Sequence, residues 1–222
     1  MFRKSGWTVL VLLGLTSVAI PAAQGSVVYT LNQSASFGSG PFGTVTLDQT
    51  SSTLVTITET LAPGVNWAGT GAGEALEFNI LGNPAISIAI APANVADFSA
   101  GVGGSSASPF GNFEYFIHCK TCQGGSGPTG TLTFTVSLVP SGTLSISSFQ
   151  VLSAAPPHGD TPAYFASDIC FESKLPGACT ANVGSTTFTN STVPEPVTSG
   201  LVATGLVSLF FLRRRTAAKR TV

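Results

Sequence analysis

The sequence predicts an all-β fold, an antiparallel β-sandwich of jelly-roll-like type, for the part of the chain between its two ends. Apolar residues alternate with Thr and Ser over several short runs, which places the apolar side chains on one face of a strand. Segments rich in Gly and Pro separate these runs. No long amphipathic helix interrupts the series, so helical crossovers between parallel strands are not expected.

Six alternating runs define the predicted strands. In chain order their apolar positions are Val45 and Leu47; Val55, Ile57 and Leu61; Leu76, Phe78 and Ile80; Ile86, Ile88 and Ile90; Phe113, Tyr115 and Ile117; and Leu132, Phe134, Val136 and Leu138. Turn-forming residues fill the intervals at 38–43, 63–64, 69–73, 82–84, 101–106, 124–128 and 141–142. Residues 147–153 are predicted to form a helical turn. We expect one exported domain over 26–183, followed by an extended Ser- and Thr-rich stalk over 184–192.

The N-terminus is typical of a secretory signal peptide. Arg3 and Lys4 precede an apolar run at 7–20, which is short for a membrane span. The small residues around Ala23-Gln24-Gly25 predict removal of residues 1–25, with Ser26 as the mature start. Cleavage after Ala22 or Ala23 is the nearby alternative, and an uncleaved anchor is the other one.

The C-terminus predicts a single membrane-spanning helix preceded by an extended peptide. Pro194 and Pro196 disfavour helix around Glu195, and residues 197–212 carry no charge. A helix of that length covers roughly 24 Å of the ~30 Å hydrocarbon core. The long side chains of Arg213, Arg214 and Arg215 extend its reach and hold that end in the cytoplasm, together with the basic tail over 216–222.

The order of these elements over 193–215 resembles the PEP-CTERM sorting signal of Gram-negative bacteria. The resemblance implies an exosortase as the partner that recognises Pro194, Glu195 and Pro196, while Arg213, Arg214 and Arg215 stop and orient the span. An ordinary tail anchor behind a Pro-rich linker is the alternative. The segments at 69–73, 113–122 and 165–169 also resemble PEP-CTERM ectodomains, for which no biochemical activity is established.

The exported body is acidic once both ends are set aside. Between Ser26 and Val193 the chain has two Lys, no Arg and nine acidic residues, which leaves a formal charge of −7. Contact with phosphates requires Lys and Arg, so binding to nucleic acid or to an anionic membrane surface is not expected.

All four cysteines lie in this body, and export predicts that they form disulfides. Of the three pairings that four cysteines allow, we favour the local ones, Cys119 with Cys122 and Cys170 with Cys179. Two alternatives stay open. Cys119 to Cys122 has the spacing of a redox motif but lacks a βαβ context, and the four thiols would suit zinc if the two loops met.

No catalytic residue, cofactor or metal ligand is predicted. His118 and His158 are the only histidines, and neither lies in a recognised catalytic motif. Glu74 and Glu77 are expected as solvated charges where a strand begins. Three acids, Asp97, Asp160 and Asp168, could contribute to a Ca²⁺ site, but no EF-hand pattern surrounds them.

Trp67 is the one candidate for carbohydrate contact, because sugar rings stack on exposed aromatic faces. We expect it to serve packing instead. The sequence thus predicts a non-enzymatic surface or extracellular-matrix protein, exported through the Sec translocon, anchored transiently in the inner membrane and processed by an exosortase. The resemblance implies a link to exopolysaccharide and biofilm. The alternatives are a lectin-like, carbohydrate-binding module and an exported hydrolase.

Overall fold

The body of the chain is a β-sandwich, as the sequence predicts. The computed structural model describes residues 25–34, 36–70, 73–122, 127–154, 161–171 and 179–191, all within one compact unit, Gln24–Val193. These residues form two antiparallel β-sheets and one short 3₁₀ helix, Ile146–Phe149, where a helical turn was expected.

Within the residues just given, no helix is long and apolar enough to cross a membrane. The predicted span at 197–212 and residues 1–24 of the predicted signal peptide lie outside them.

The first sheet has six strands in the order β13, β1, β3, β4, β10, β7. Their bounds are β1 Ser26–Leu31, β3 Gly43–Ser51, β4 Leu54–Leu61, β7 Ile86–Ile90, β10 Thr131–Leu138 and β13 Phe188–Ser191. Four of the six predicted alternating runs, those in β3, β4, β7 and β10, lie in this sheet.

The second sheet runs β2, β12, β11, β6, β9, β8, and β5 also pairs with β11. Its strands are β2 Gln33–Ser34, β5 Val65–Trp67, β6 Leu76–Phe78, β8 Phe98–Ala107, β9 Gly111–Cys119, β11 Phe165–Phe171 and β12 Thr180–Ser185. Strand β11 is an inner strand of this sheet, and six of its seven residues are buried.

The core is aromatic and lies between the two sheets. The ring of Tyr29 in β1 lies 4.7 Å from that of Phe165 in β11, and Phe78 in β6 lies 5.9 Å from Phe134 in β10. Burial of each such side chain contributes about 1.5–3 kcal/mol. The alternating apolar residues therefore do what the sequence pattern predicts, since they hold one sheet against the other.

Two sequence predictions about local structure are wrong. Residues 101–106, expected as a turn, lie inside the ten-residue strand β8, and Gly103 and Gly104, with φ of 101° and 97°, form a β-bulge there. Residues 184–192, expected as a stalk, contain the end of β12 and the whole of β13. The folded body thus continues to Ser191 and does not end at residue 183.

Candidate functional site

The two ends of the folded body lie side by side. Strand β1 begins at Ser26, the predicted mature start, and β13 ends at Ser191, three positions before Pro194. The two strands pair antiparallel, with Ser26 opposite Ser191 and Tyr29 opposite Phe188. We call β1 and β13 the terminal strand pair. These are the first and last strands of the body, so their pairing places the residue after the predicted signal peptide opposite a residue close to the predicted sorting motif.

Aromatic packing holds the terminal strand pair in place. The ring of Phe188 lies 5.3 Å from Tyr29 and 5.5 Å from Tyr164, and Tyr29 itself is fully buried. Burial raises the pKa of the Tyr29 hydroxyl far above its ordinary value, and the neighbouring Tyr164 adds to the rise. β1 also pairs along its whole length with β3, so β13 is attached to a strand that is itself held in the sheet on its other side.

The residues of the predicted sorting signal follow β13 in the sequence. Pro194, Glu195, Pro196, Arg213, Arg214 and Arg215 are all outside the described residues.

Both local disulfides are confirmed. Cys119, the last residue of β9, is bonded to Cys122, and Cys170 in β11 is bonded to Cys179 just before β12. The first bridge is buried in the core. With all four thiols paired, neither the redox alternative nor the four-thiol zinc alternative receives support from this arrangement.

Trp67 is a core residue with 1% of its surface exposed, so it cannot present a face to a sugar. Its ring packs edge-on against Phe98 at 5.1 Å, and its indole nitrogen donates a hydrogen bond of 2.9 Å to Oε2 of Glu59. Desolvation raises the pKa of the fully buried Glu59 to about 8, although Trp67 and Ser167 oppose the rise. Burial therefore favours the protonated, neutral form of Glu59 in its hydrogen-bonded pair with Trp67.

A second group of carboxyls gathers where β6, β9 and β11 meet. We call Glu74, Glu77, Asp168 and His118 the carboxyl cluster. His118 Nδ1 lies 2.8 Å from a Glu74 oxygen, and the backbone N–H of Asp168 donates to the Glu74 carbonyl at 2.8 Å. Thr70 donates both its backbone N–H and its hydroxyl to Asp168, at 2.7 and 2.8 Å.

The prediction that Glu74 and Glu77 are solvated is wrong for Glu77. That residue has no exposed surface, and its strand β6 is an inner strand of the sheet, paired with β9 on one side and β11 on the other. Burial raises its pKa to about 8; Ser105 opposes this, and the charges of Glu74 and Asp168 add to it. Burial also raises the pKa of Glu74, although the hydrogen bond with His118 opposes this rise. It raises the pKa of Asp168 as well, and there the hydrogen bonds from Thr70 oppose it.

The carboxyl cluster brings together one feature that a hydrolase needs, a His oriented by a carboxylate. His118 is half exposed at the end of β9, as expected for a strand-end residue. In the described part of the chain, neither ring nitrogen of His118 contacts a Ser, Thr or Cys side chain, so the pair lacks a nucleophile. His158 lies outside the described residues.

The three acids considered for Ca²⁺ do not converge on one point. Asp97 accepts a hydrogen bond of 3.0 Å from the Thr121 hydroxyl, Asp168 is held by Thr70, and Asp160 lies outside the described residues. Among the residues that are described, no three His, Cys, Asp or Glu side chains are grouped so as to hold a metal ion.

Sequence reasoning did not identify Glu59, although the signal was present. Val55, Ile57, Glu59 and Leu61 occupy alternate positions of one strand, so Glu59 had to share the core-facing side with its apolar neighbours. The only tryptophan in the body, eight residues later, supplies the donor that a buried carboxyl requires.

Comparisons of this chain with protein-family models, with curated proteins and with solved structures found no match.

Proposed function

We propose that this chain is an exported, non-enzymatic surface or extracellular-matrix protein that an exosortase sorts and processes. The observation that carries the proposal is the terminal strand pair. The sandwich begins at the residue where signal removal is predicted and ends three residues before the sorting motif. Removal of both targeting segments would therefore leave every described strand intact.

The disulfides support export. A cytosolic chain keeps its thiols reduced, whereas all four cysteines of this body are paired. Passage through the Sec translocon would deliver the body to a compartment where these bonds persist.

The repeated passage of the chain between the two sheets supports a jelly-roll-like description of the sandwich.

In the proposed pathway the C-terminus acts as a substrate. Residues 197–212 hold the protein in the inner membrane, and Arg213, Arg214 and Arg215 keep the tail in the cytoplasm. Pro194, Glu195 and Pro196 form the extended peptide that the exosortase recognises. Because β13 ends at Ser191, only a few residues separate the folded body from the motif, so the enzyme would act close to the body.

The body itself is proposed to have no catalytic role. Two of its buried carboxyls have partners within the fold, since Glu59 accepts a hydrogen bond from Trp67 and Asp168 accepts two from Thr70. Its formal charge of −7 makes nucleic acid and anionic membrane surfaces unfavourable partners. The matrix exopolysaccharide is proposed as a partner because the resemblance to the PEP-CTERM sorting signal implies a link to it.

Replacing Pro194, Glu195 and Pro196 with Ala in the full chain tests the proposal. We expect export and membrane insertion to continue, while C-terminal processing stops and a longer, membrane-bound form accumulates. Cell fractionation with an antibody against the body measures both forms. Unchanged release of the variant would refute the sorting role.

A variant with neutral residues in place of Arg213, Arg214 and Arg215 provides the matched comparison. It keeps the motif but lacks the residues that orient the span, so retention and orientation should weaken. A C-terminal tag that stayed in the cytoplasm, with normal processing, would show that the Arg cluster has no such role.

A further inference from the structure

An open cleft of about 330 Å³ lies at the end of the second sheet, and its described lining residues belong neither to the terminal strand pair nor to the carboxyl cluster. Its floor is the start of β9. One wall is the segment after the 3₁₀ helix. Two backbone hydrogen bonds between Asn112 and Ala154, of 3.0 and 3.2 Å, attach this segment to β9. The opposite walls are the turn at Asn83 and the bulge at Gly104.

Three carboxamides and one carboxylate face this space. The side chains of Asn79, Asn83, Asn112 and Glu114 line it beside the apolar residues Val151 and Leu152. Asn79 is a structural member, because its Oδ1 accepts the Glu114 N–H at 2.8 Å and its Nδ2 donates to the Asn112 carbonyl at 3.5 Å. These contacts fix the floor.

The other three polar side chains are available to a ligand. Asn83, Asn112 and Glu114 make no side-chain hydrogen bond within the described part of the protein. Asn83 is the only residue other than Gly in that part with a positive φ, 46°, and this conformation places it at the tip of the turn. Leu152 is 45% exposed and offers an apolar surface next to these groups.

The chemistry of the lining excludes most ligand classes. Among the described residues that line the cleft there is no Lys, Arg or His, so none of them would neutralise a phosphate, sulfate or carboxylate. A single carboxylate is too few for a metal site built from protein ligands. Carboxamides and a carboxylate beside an aliphatic surface suit a neutral molecule that has many hydroxyls on one side and C–H groups on the other.

We propose that this cleft binds a neutral saccharide of one or two rings. The volume is at the lower end of the range for ligand sites, which favours a short glycan segment over a long one. Asn83, Asn112 and Glu114 bond the hydroxyls, and Leu152 packs against the C–H face. The described lining residues include no exposed aromatic ring, so we expect a Kd of about 1 mM for a single site. This inference deepens the proposed link to exopolysaccharide. The observations on the cleft do not depend on the proposed sorting signal.

Saturation-transfer NMR on the full chain in neutral detergent tests the proposal, with cellobiose, maltose, mannobiose and diacetylchitobiose as probes. We expect transfer to at least one of them. A double variant, Asn83→Gly with Asn112→Ala, should weaken that binding about tenfold, because it removes two hydrogen-bonding groups. Gly is compatible with the positive φ at position 83, so the fold should be preserved.

Asn190→Ala is the matched control, since Asn190 is an exposed Asn on β13 outside the cleft. It should bind the probe as the unmodified chain does. Absence of transfer to all four probes would overturn the proposal, and so would equal binding by the double variant. A failure of C-terminal processing in the cell would bear on sorting alone, which keeps the two proposals separable.

Discussion

Glu59 shows how a single charged residue is accommodated in the core of this sandwich. It lies on the apolar face of β4 without any exposed surface, and its one described hydrogen bond comes from the indole of Trp67. A buried carboxylate without a counter-charge is unfavourable, so the group keeps its proton well above its ordinary range. Glu77 is buried in the second sheet and behaves in the same way.

These two carboxyls should make the protein less stable as the pH rises. The pKa of Glu59 is about 8 in the folded state and near 4.5 in the unfolded chain, so the unfolded state loses its proton first. The free energy of unfolding should therefore fall between about pH 4.5 and pH 8 and level off above that, with a slope of up to about 1.4 kcal/mol per pH unit for each group.

Glu59→Gln should remove about half of this dependence, because Gln stays neutral and still accepts the Trp67 N–H. We expect the variant to resemble the unmodified chain at pH 5 and to be more stable by roughly 2–4 kcal/mol at pH 8.5. Urea unfolding followed by Trp67 fluorescence measures this directly. Asp48→Asn, an exposed change in β3, is the control. Parallel pH curves for Glu59→Gln and the unmodified chain would contradict this account of Glu59.

At the scale of elements, the sequence predicted most of the strands whose two faces differ, but β1, which also alternates, was not among the predicted runs. Strands β4 and β10 have one buried face and one face made mainly of Thr and Ser, so period-two alternation is visible in them, and β9 also alternates between buried and less buried positions. Strand β11 was not recognised because it is covered on both faces, and its sequence Phe-Ala-Ser-Asp-Ile-Cys-Phe shows no alternation. Because both faces of β11 are packed, the period-two alternation that marks a half-exposed strand is absent from its sequence.

Strands β8 and β13 were missed for a different reason. β8 contains Gly101, Gly103 and Gly104, which are normally turn residues, yet the ring of Phe116 occupies the space beside Gly101 and the other two form the bulge. β13 has only Phe188 as an apolar residue, and its neighbours are polar. Its place in the sheet depends on contacts with Tyr29 and Tyr164, which are distant in sequence.

The two disulfides join elements to loops and should not be essential for the fold. Cys170 and Cys179 are nine residues apart, which predicts a contribution of about 2.5 kcal/mol, whereas the three-residue separation of Cys119 and Cys122 predicts about 1.5 kcal/mol. Replacing either pair with Ala should lower the midpoint of urea unfolding, and the loss of the Cys170–Cys179 bridge should lower it more. The circular dichroism of the β-sheets should stay unchanged in both variants. A variant that is unfolded without denaturant would contradict this.

At the scale of the whole molecule, the two chain ends of the sandwich meet at one place. Ser26 and Ser191 face each other across the terminal strand pair, and β13 is the edge strand of its sheet. The sequence predicted both targeting segments but not their proximity, because pairing between residues 26 and 191 depends on the complete fold. If processing removed β13 it would expose the edge of β1, so cleavage beyond Ser191 is the outcome that preserves the sheet.

Intact mass spectrometry of the mature protein, recovered from the surface of its native host, tests the central claim most directly. The account predicts a chain that starts at Ser26, or at Ala23 or Gln24 if the signal is cleaved nearby, and that ends after Ser191 but before residue 197. It also predicts a mass lower by that of four hydrogen atoms than the mass of the reduced chain, since both disulfides are formed. A surface protein that still ended at Val222, or that lacked β13, would contradict it.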